Sequence, residues 1–224
     1  MLSHALIFSA FSALVTAHFT LEWPTARGFD DDKEPNFPCG GFDSVSSNRT
    51  SFPLSGAPIQ LKMGHTESNV QVLLAVGNDP GSAFNIELRP TFRERGPDSF
   101  CIGGLDIPAS ANLTAGMNAT IQVVTNGDPN GGLYQCADVT LTNQTLSTDE
   151  YNSHCTNSSG VTSQTISNPR NANETSESSS ASGTTSSTAA SATASKGAAS
   201  GDLGSWSGVW ALGAAAVGGA AALL

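Results

Sequence analysis

Along the middle of the chain, hydrophobic residues alternate with polar ones in several short runs. Ile59-Gln60-Leu61-Lys62-Met63 alternates, as do Val70-Gln71-Val72 ahead of the apolar Leu73-Leu74-Ala75-Val76, Ile86-Glu87-Leu88, Ile121-Gln122-Val123 and Val139-Thr140-Leu141. A period of two turns one face of a strand toward a core. Turn formers separate the runs: Gly77-Asn78-Asp79-Pro80-Gly81, Gly96-Pro97-Asp98 and Gly127-Asp128-Pro129-Asn130-Gly131-Gly132. No long stretch carries a clean helical period. Short strands at regular spacing predict an all-β fold, a β-sandwich.

The ends of the chain read differently. Ala5 to Val15 is an apolar run of signal-peptide length, too short to span a bilayer, with small residues at Val15 and Ala17. Cleavage after Ala17 makes residues 1–17 a leader and His18 the first residue of the mature protein. The C-terminus, Gly208-Val209-Trp210 through Leu224, is apolar with no charge beyond it, and small residues precede it at Gly197-Ala198-Ala199-Ser200-Gly201. Small residues, a polar spacer and an apolar tail are the pattern of a GPI attachment signal. The expectation is a removable segment over 201–224 and a lipid on a residue near Gly197, Ser200 or Gly201. Such a lipid would hold the protein on the outer face of the plasma membrane, at the cell wall.

From Ser158 the composition shifts to Ser, Thr and Ala, and core-sized apolar residues nearly vanish between Ile166 and Leu203. Such a segment buries too little area to offset its ordering entropy, so 158–200 is expected to be a disordered, O-glycosylated stalk. Residues 18–157 are then the folded domain. Sequons at Asn48, Asn112, Asn118, Asn143, Asn157 and Asn173 fit a secreted glycoprotein.

Charge narrows the partners. Nine Lys and Arg stand against 19 Asp and Glu, a net charge of -10, which argues against nucleic acid because phosphate binding needs a basic footprint. Cys39, Cys101, Cys136 and Cys155 all fall in the domain. In a secreted chain they imply two disulfides with three possible pairings. Cys39–Cys136 with Cys101–Cys155 is favoured, because the first would tie the N-terminal loop to a late strand. A zinc site is disfavoured by the wide spacings and the lack of a Cys-x-x-Cys pair.

Removing the leader leaves His18, His65 and His154 as the only histidines. An N-terminal histidine offers its α-amino nitrogen and Nδ1 to one metal ion, and a second histidine adds a third nitrogen. Three nitrogens in a T suit copper, which is tetragonal as Cu(II) and tops the divalent affinity order. The amine must be deprotonated, and its free pKa is about 7.7–8.0, so affinity falls in acid. Met63 is a core residue by pattern, although a thioether two positions from His65 could approach a metal. Asp30-Asp31-Asp32-Lys33-Glu34 is either a cation-attracting rim or a solvated loop. Two non-terminal histidines leave little material for a hydrolase triad.

The segment His18-Phe19-Thr20-Leu21-Glu22-Trp23-Pro24-Thr25-Ala26-Arg27-Gly28-Phe29-Asp30, followed by Glu34 and Pro38-Cys39-Gly40-Gly41, resembles the start of the fungal copper acquisition factor family. Gly132-Leu133-Tyr134-Gln135-Cys136-Ala137-Asp138-Val139-Thr140-Leu141 is a second matching block. Members of that family resemble lytic polysaccharide monooxygenases. The resemblance implies an immunoglobulin-like or fibronectin-like sandwich and one copper ion, Cu(II), held by a histidine brace and an aspartate. It also implies a role in copper uptake and cell-wall biology rather than oxidative cleavage of polysaccharides.

Carried onto this chain, the resemblance makes His18 the N-terminal ligand and His65 the second histidine. His154, beside Cys155, departs from that position. Asp138 is the expected carboxylate, on the same face of a late strand as Cys136. Asp128 is the alternative, and Asp138 could instead be a buried partner of Arg27. An axial carboxylate would occupy coordination space and favour Cu(II), which suits holding copper better than activating oxygen. Trp23, Tyr134 and Tyr151 are a thin supply of sugar-stacking aromatics. The leading expectation is a surface protein that captures copper for a plasma-membrane transporter. A copper monooxygenase on wall glycans and a metal-free structural wall protein are the alternatives.

Overall fold

A computed structural model of the chain describes residues 18–127 and 131–174. The leader, the GPI-signal residues Gly197, Ser200 and Gly201, the 175–224 part of the stalk and tail, and Asp128 lie outside the described residues.

Among the described residues, nine strands and one short α-helix follow in chain order: β1 (Phe19–Trp23), β2 (Thr50–Pro53), β3 (Ala57–Met63), β4 (Glu67–Val76), β5 (Ile86–Arg95), β6 (Asp98–Leu105), β7 (Asn118–Asn126), β8 (Gly132–Thr142), α1 (Thr148–Ser153) and β9 (Thr162–Thr165). They form a three-stranded sheet, β1-β3-β6, and a six-stranded sheet, β2-β8-β7-β4-β5-β9. All pairings are antiparallel except β2 with β8. One apolar core joins the inner faces, with Phe19, Leu21, Ile59, Leu61 and Phe100 from the smaller sheet and Val70, Val72, Leu74, Ile121, Val139 and Leu141 from the larger. The all-β sandwich expected from the alternation is the fold observed.

β1 itself alternates: Phe19, Leu21 and Trp23 are buried while Thr20 and Glu22 point away. Its five residues sit directly after His18, and β1 pairs with β3 from Phe19 opposite Met63 to Leu21 opposite Leu61.

Both faces of β8 are covered, so every residue from Gly132 is at least partly buried. Leu133, Ala137, Val139 and Leu141 face the core. The other face lies under the long loop between β1 and β2. That loop is stapled by the Cys39–Cys136 disulfide, by Gln122 Nε2 donating to the Pro38 carbonyl at 2.7 Å, and by Arg27 on Asp138. Gly40 has a φ of +62°, and a side-chain carbon there would meet the Tyr134 carbonyl oxygen at 2.5 Å, so only glycine lets the loop approach β8 this closely. The second disulfide, Cys101–Cys155, ties β6 to the segment after α1.

The domain is longer than its composition indicates. Residues 158–174, expected to belong to the disordered stalk, fold onto the sandwich. β9 adds an edge strand to β5, from Phe92 opposite Thr165 to Arg95 opposite Thr162. Its Thr-Ser-Gln-Thr residues are all exposed, so the pairing rests on backbone hydrogen bonds and leaves no hydrophobic pattern to read. Further on, Ala172 is buried against Val124 and Tyr134.

Candidate metal centre

His18 ends in the position that the β1–β3 pairing dictates. The Gly64 N–H donates to the His18 carbonyl oxygen at 2.9 Å, extending the ladder by one pair, and His65 follows in the turn toward β4. The two histidines are therefore brought to one end of the same two-strand unit although 47 positions separate them in sequence. His18 Nδ1 and His65 Nε2 are both buried and without a hydrogen-bond partner among the described residues. Buried ring nitrogens are ordinarily satisfied, so these two orphans, one on each histidine, need an explanation. Imidazole nitrogens of this kind could hold a metal ion such as copper, and no group of three or more His, Cys, Asp or Glu side chains converges on one point among the described residues.

The third histidine is elsewhere. His154 stacks on Trp23 with ring centroids 5.1 Å apart and an interplanar angle of 22°. Trp23 is at the far end of β1, about 17 Å from His18 at a strand rise of roughly 3.3 Å per residue.

The expected carboxylate requires a correction. Asp138 is fully enclosed: Arg27 donates to both its oxygens, Nε to Oδ2 and Nη2 to Oδ1, each at 2.8 Å. The Ser46 N–H at 2.6 Å and the Thr120 hydroxyl at 2.7 Å complete its shell, with Arg49 Nη1 3.8 Å away. Burial alone would raise its pKa, but Arg27, the Ser46 N–H and Thr120 outweigh burial and hold it below the usual carboxylate value. Its lone pairs are taken, so Asp138 locks the β1–β2 loop onto β8 and is not free to ligate. Strand alternation placed it correctly beside Cys136, but that face is covered by the loop.

The carboxylate beside His18 is Asp31, with Oδ1 3.9 Å from His18 Nδ1. Asp31 remains solvent-accessible, with a side-chain exposure of 57%. Together with Thr20, Phe29, Lys62 and Gly64 they line an open cleft of about 170 Å³. Met63 also reaches its wall, but its side chain is buried in the core, as the pattern indicated.

The acidic run thus divides by role. Asp30 pairs with Lys33 at 2.6 Å, which together with its hydrogen bonds holds the Asp30 carboxyl below its ordinary value. Asp31 faces His18. Glu34 is buried at 1% exposure, and its Oε1 accepts from the Phe19 N–H at 3.4 Å and from Gln135 Nε2 at 2.9 Å. Gln135 also donates to the Phe19 carbonyl and accepts the Leu21 N–H at 3.0 Å. Burial pushes the Glu34 carboxyl up to about 8, against the opposing bonds from Gln135 and Phe19. Glu34 and Gln135 fix the backbone immediately after His18. Both lie inside the matching blocks, where Glu34 reads only as part of an acidic rim or solvated loop and Gln135 carries no role. The available signal was a glutamine at a core-facing position of an otherwise apolar strand.

A family model described as copper acquisition factor BIM1-like matches residues 16–160. Among curated proteins, the chain is 49% identical over 173 residues to an uncharacterised protein of Aspergillus fumigatus, covering 74% of this chain and 70% of that one. It is 32% identical over 174 residues to the lytic polysaccharide monooxygenase-like protein X325 of Yarrowia lipolytica, covering 73% of this chain and 63% of that one. It is 32% identical over 149 residues to the copper acquisition factor BIM1 of Cryptococcus neoformans, covering 62% and 67%. With its model matching well over half of the chain, the two blocks around His18 and Asp138 have their explanation: this chain belongs to the copper acquisition factor BIM1-like family.

Proposed function

We propose that the mature protein captures one Cu(II) ion at the outer face of the plasma membrane and passes it to a copper transporter. Family membership ties the chain to copper handling. The observation that carries the site is the pair of unpartnered nitrogens, His18 Nδ1 and His65 Nε2, at one end of the β1–β3 unit. Removal of the leader would free the His18 α-amino group as the third nitrogen. Asp31 replaces Asp138 as the carboxylate, because it alone among the described carboxylates forms an ion-pair contact with His18. Its negative charge favours the divalent ion over the monovalent one. The leader and GPI patterns support the surface location, and the net charge of -10 favours cation approach.

The relatives named lytic polysaccharide monooxygenase-like favour a second reading, oxidation of wall glycans. A Cu(II) titration of the protein beginning at His18, followed by electron paramagnetic resonance, separates the two when paired with product detection. Capture predicts one equivalent of nitrogen-ligated Cu(II), loss of that signal in His65→Ala, an altered axial signal in Asp31→Asn, and no oxidised sugars with a reductant present. A native spectrum in His65→Ala overturns the brace. Oxidised wall glycans at catalytic turnover overturn capture in favour of oxidation. Undiminished function in a correctly processed His18→Ala protein would establish a metal-free role.

A further inference from the structure

On the outer face of the six-stranded sheet lies a second cleft, of about 190 Å³, whose lining does not include His18. Three aromatic residues line it, Phe37, Phe84 and Tyr134, along with the amides of Gln71, Gln122 and Asn171. Phe37 is 55% exposed and meets the Tyr134 ring edge-on at 5.3 Å and 82°. Gln71 and Gln122 are held rigidly. Gln71 accepts the Ala172 N–H at 3.3 Å and donates to Glu87 at 3.1 Å, and Gln122 is bonded to the Pro38 carbonyl. Aromatic faces and edges beside fixed amides are the chemistry that recognises a pyranose ring, whose C–H groups pack on aromatics while its hydroxyls bond to amides. The volume is below the roughly 300–1,000 Å³ of drug-sized pockets, which suits one sugar ring rather than an extended chain.

The cleft also carries an attachment point. Asn173 lines it, and Asn173 Nδ2 donates to the Tyr134 hydroxyl at 3.1 Å. Asn173 opens the sequon Asn173-Glu174-Thr175 and is exposed. We propose that an N-linked glycan on Asn173 seats its first sugar in this cleft and fastens the C-terminal segment of the domain to the sheet. The transfer requires a lipid diphosphate-linked oligosaccharide as co-reactant. The Asn173 Nδ2–C1 bond forms, the sugar C1–O bond to phosphate breaks, one amide proton is released and the lipid diphosphate leaves. The remaining Nδ2 hydrogen can keep the bond to Tyr134. A sugar here reinforces a segment held by few contacts, chiefly buried Ala172 and the Gln71 and Tyr134 bonds, at the junction with the Ser/Thr-rich chain. Attachment gives the sugar a high effective concentration at the cleft, so weak stacking suffices.

The test uses the full chain secreted from a yeast host, as native protein, Thr175→Ala, Phe37→Ala and the double variant, with Thr175→Ser as a control that keeps the sequon. Mass spectrometry of the Asn173 peptide should show glycan in every protein that retains the sequon. Thr175→Ala should lower Tm by about 3 °C and speed protease cleavage within 161–174, whereas Thr175→Ser should not. With Phe37→Ala as background, the same loss of sequon should cost less than half as much. An unoccupied Asn173 overturns the proposal, even if the bare chain then binds soluble N-acetylglucosamine oligomers. So does an unchanged Tm in Thr175→Ala, or an equal loss in both backgrounds.

Discussion

Arg27 and Asp138 form a closed, two-pronged ion pair, with side-chain exposures of 4% and 0%. The pair joins the loop after β1 to the outer face of β8, across 111 positions of sequence. A buried pair contributes little relative to an apolar replacement, but removing one partner strands the other charge. Arg27→Ala should therefore cost about 3–5 kcal/mol in denaturant unfolding. Asp138→Asn should also destabilise, while the folded fraction keeps the native copper resonance spectrum. A changed spectrum in folded Asp138→Asn would restore Asp138 to the metal.

The amide of Gln135 links the Phe19 carbonyl, the Leu21 N–H and Glu34. Its loss leaves buried polar groups unpaired just beyond His18. Gln135→Met, similar in volume, should cost about 1–3 kcal/mol of stability. Copper affinity should fall about 10–100-fold, because supporting groups orient the ligand they hold. Isothermal titration of the folded variant measures this, and an unchanged affinity would show that the network serves the fold alone.

Cys39–Cys136 closes a separation of 97 residues and anchors the loop that carries Asp31 and Glu34. Replacing both cysteines with serine should cost about 4.7 kcal/mol by the chain-entropy account. It should also weaken copper binding, by loosening Asp31 relative to His18. Thermal unfolding and a copper titration on the same preparation check both outcomes.

Two buried carboxyls set the pH dependence of stability. Glu94 has no exposure and no hydrogen-bond partner among the described residues, and desolvation pushes it up to about 7. Glu34 is pushed up to about 8. A folded-state pKa above the unfolded value favours folding at low pH, and the advantage is lost as pH rises through the folded value. Between about pH 4.5 and 7, Glu94 should withdraw on the order of 3 kcal/mol. Asp138, held below its ordinary value, acts oppositely and loses its contribution only in stronger acid. Urea unfolding should thus show maximal stability near pH 5, and Glu94→Gln should flatten the decline toward neutral pH. A native decline in Glu94→Gln would contradict the assignment.

The free α-amine gives a further expectation. One extra residue before His18 converts the amine to an amide, so affinity for Cu(II) should fall at least 100-fold. Equal binding by the extended protein would remove the brace.

Much of the architecture was legible in the chain. Alternation at Ile59–Met63, Val70–Val76 and Val139–Leu141 marked central strands, because a half-buried strand must repeat every two residues. Removing the expected leader leaves three histidines, so His18 and His65 stood out as candidate ligands. β9 was not legible, since an exposed edge strand joined by its backbone needs no apolar face. Nor was the carboxylate that lies beside His18. Asp138 lies in a matching block and Asp31 in the acidic run, and charge and spacing cannot tell which is covered by protein and which faces a neighbour. That depended on the 24–49 loop folding over β8, which gave Asp138 to Arg27 and left Asp31 beside His18. Local pattern therefore determined the strands and the small set of candidate histidines, while long-range packing decided which carboxylate is covered and which is left exposed beside His18, because a side chain's availability depends on what the rest of the fold lays over it.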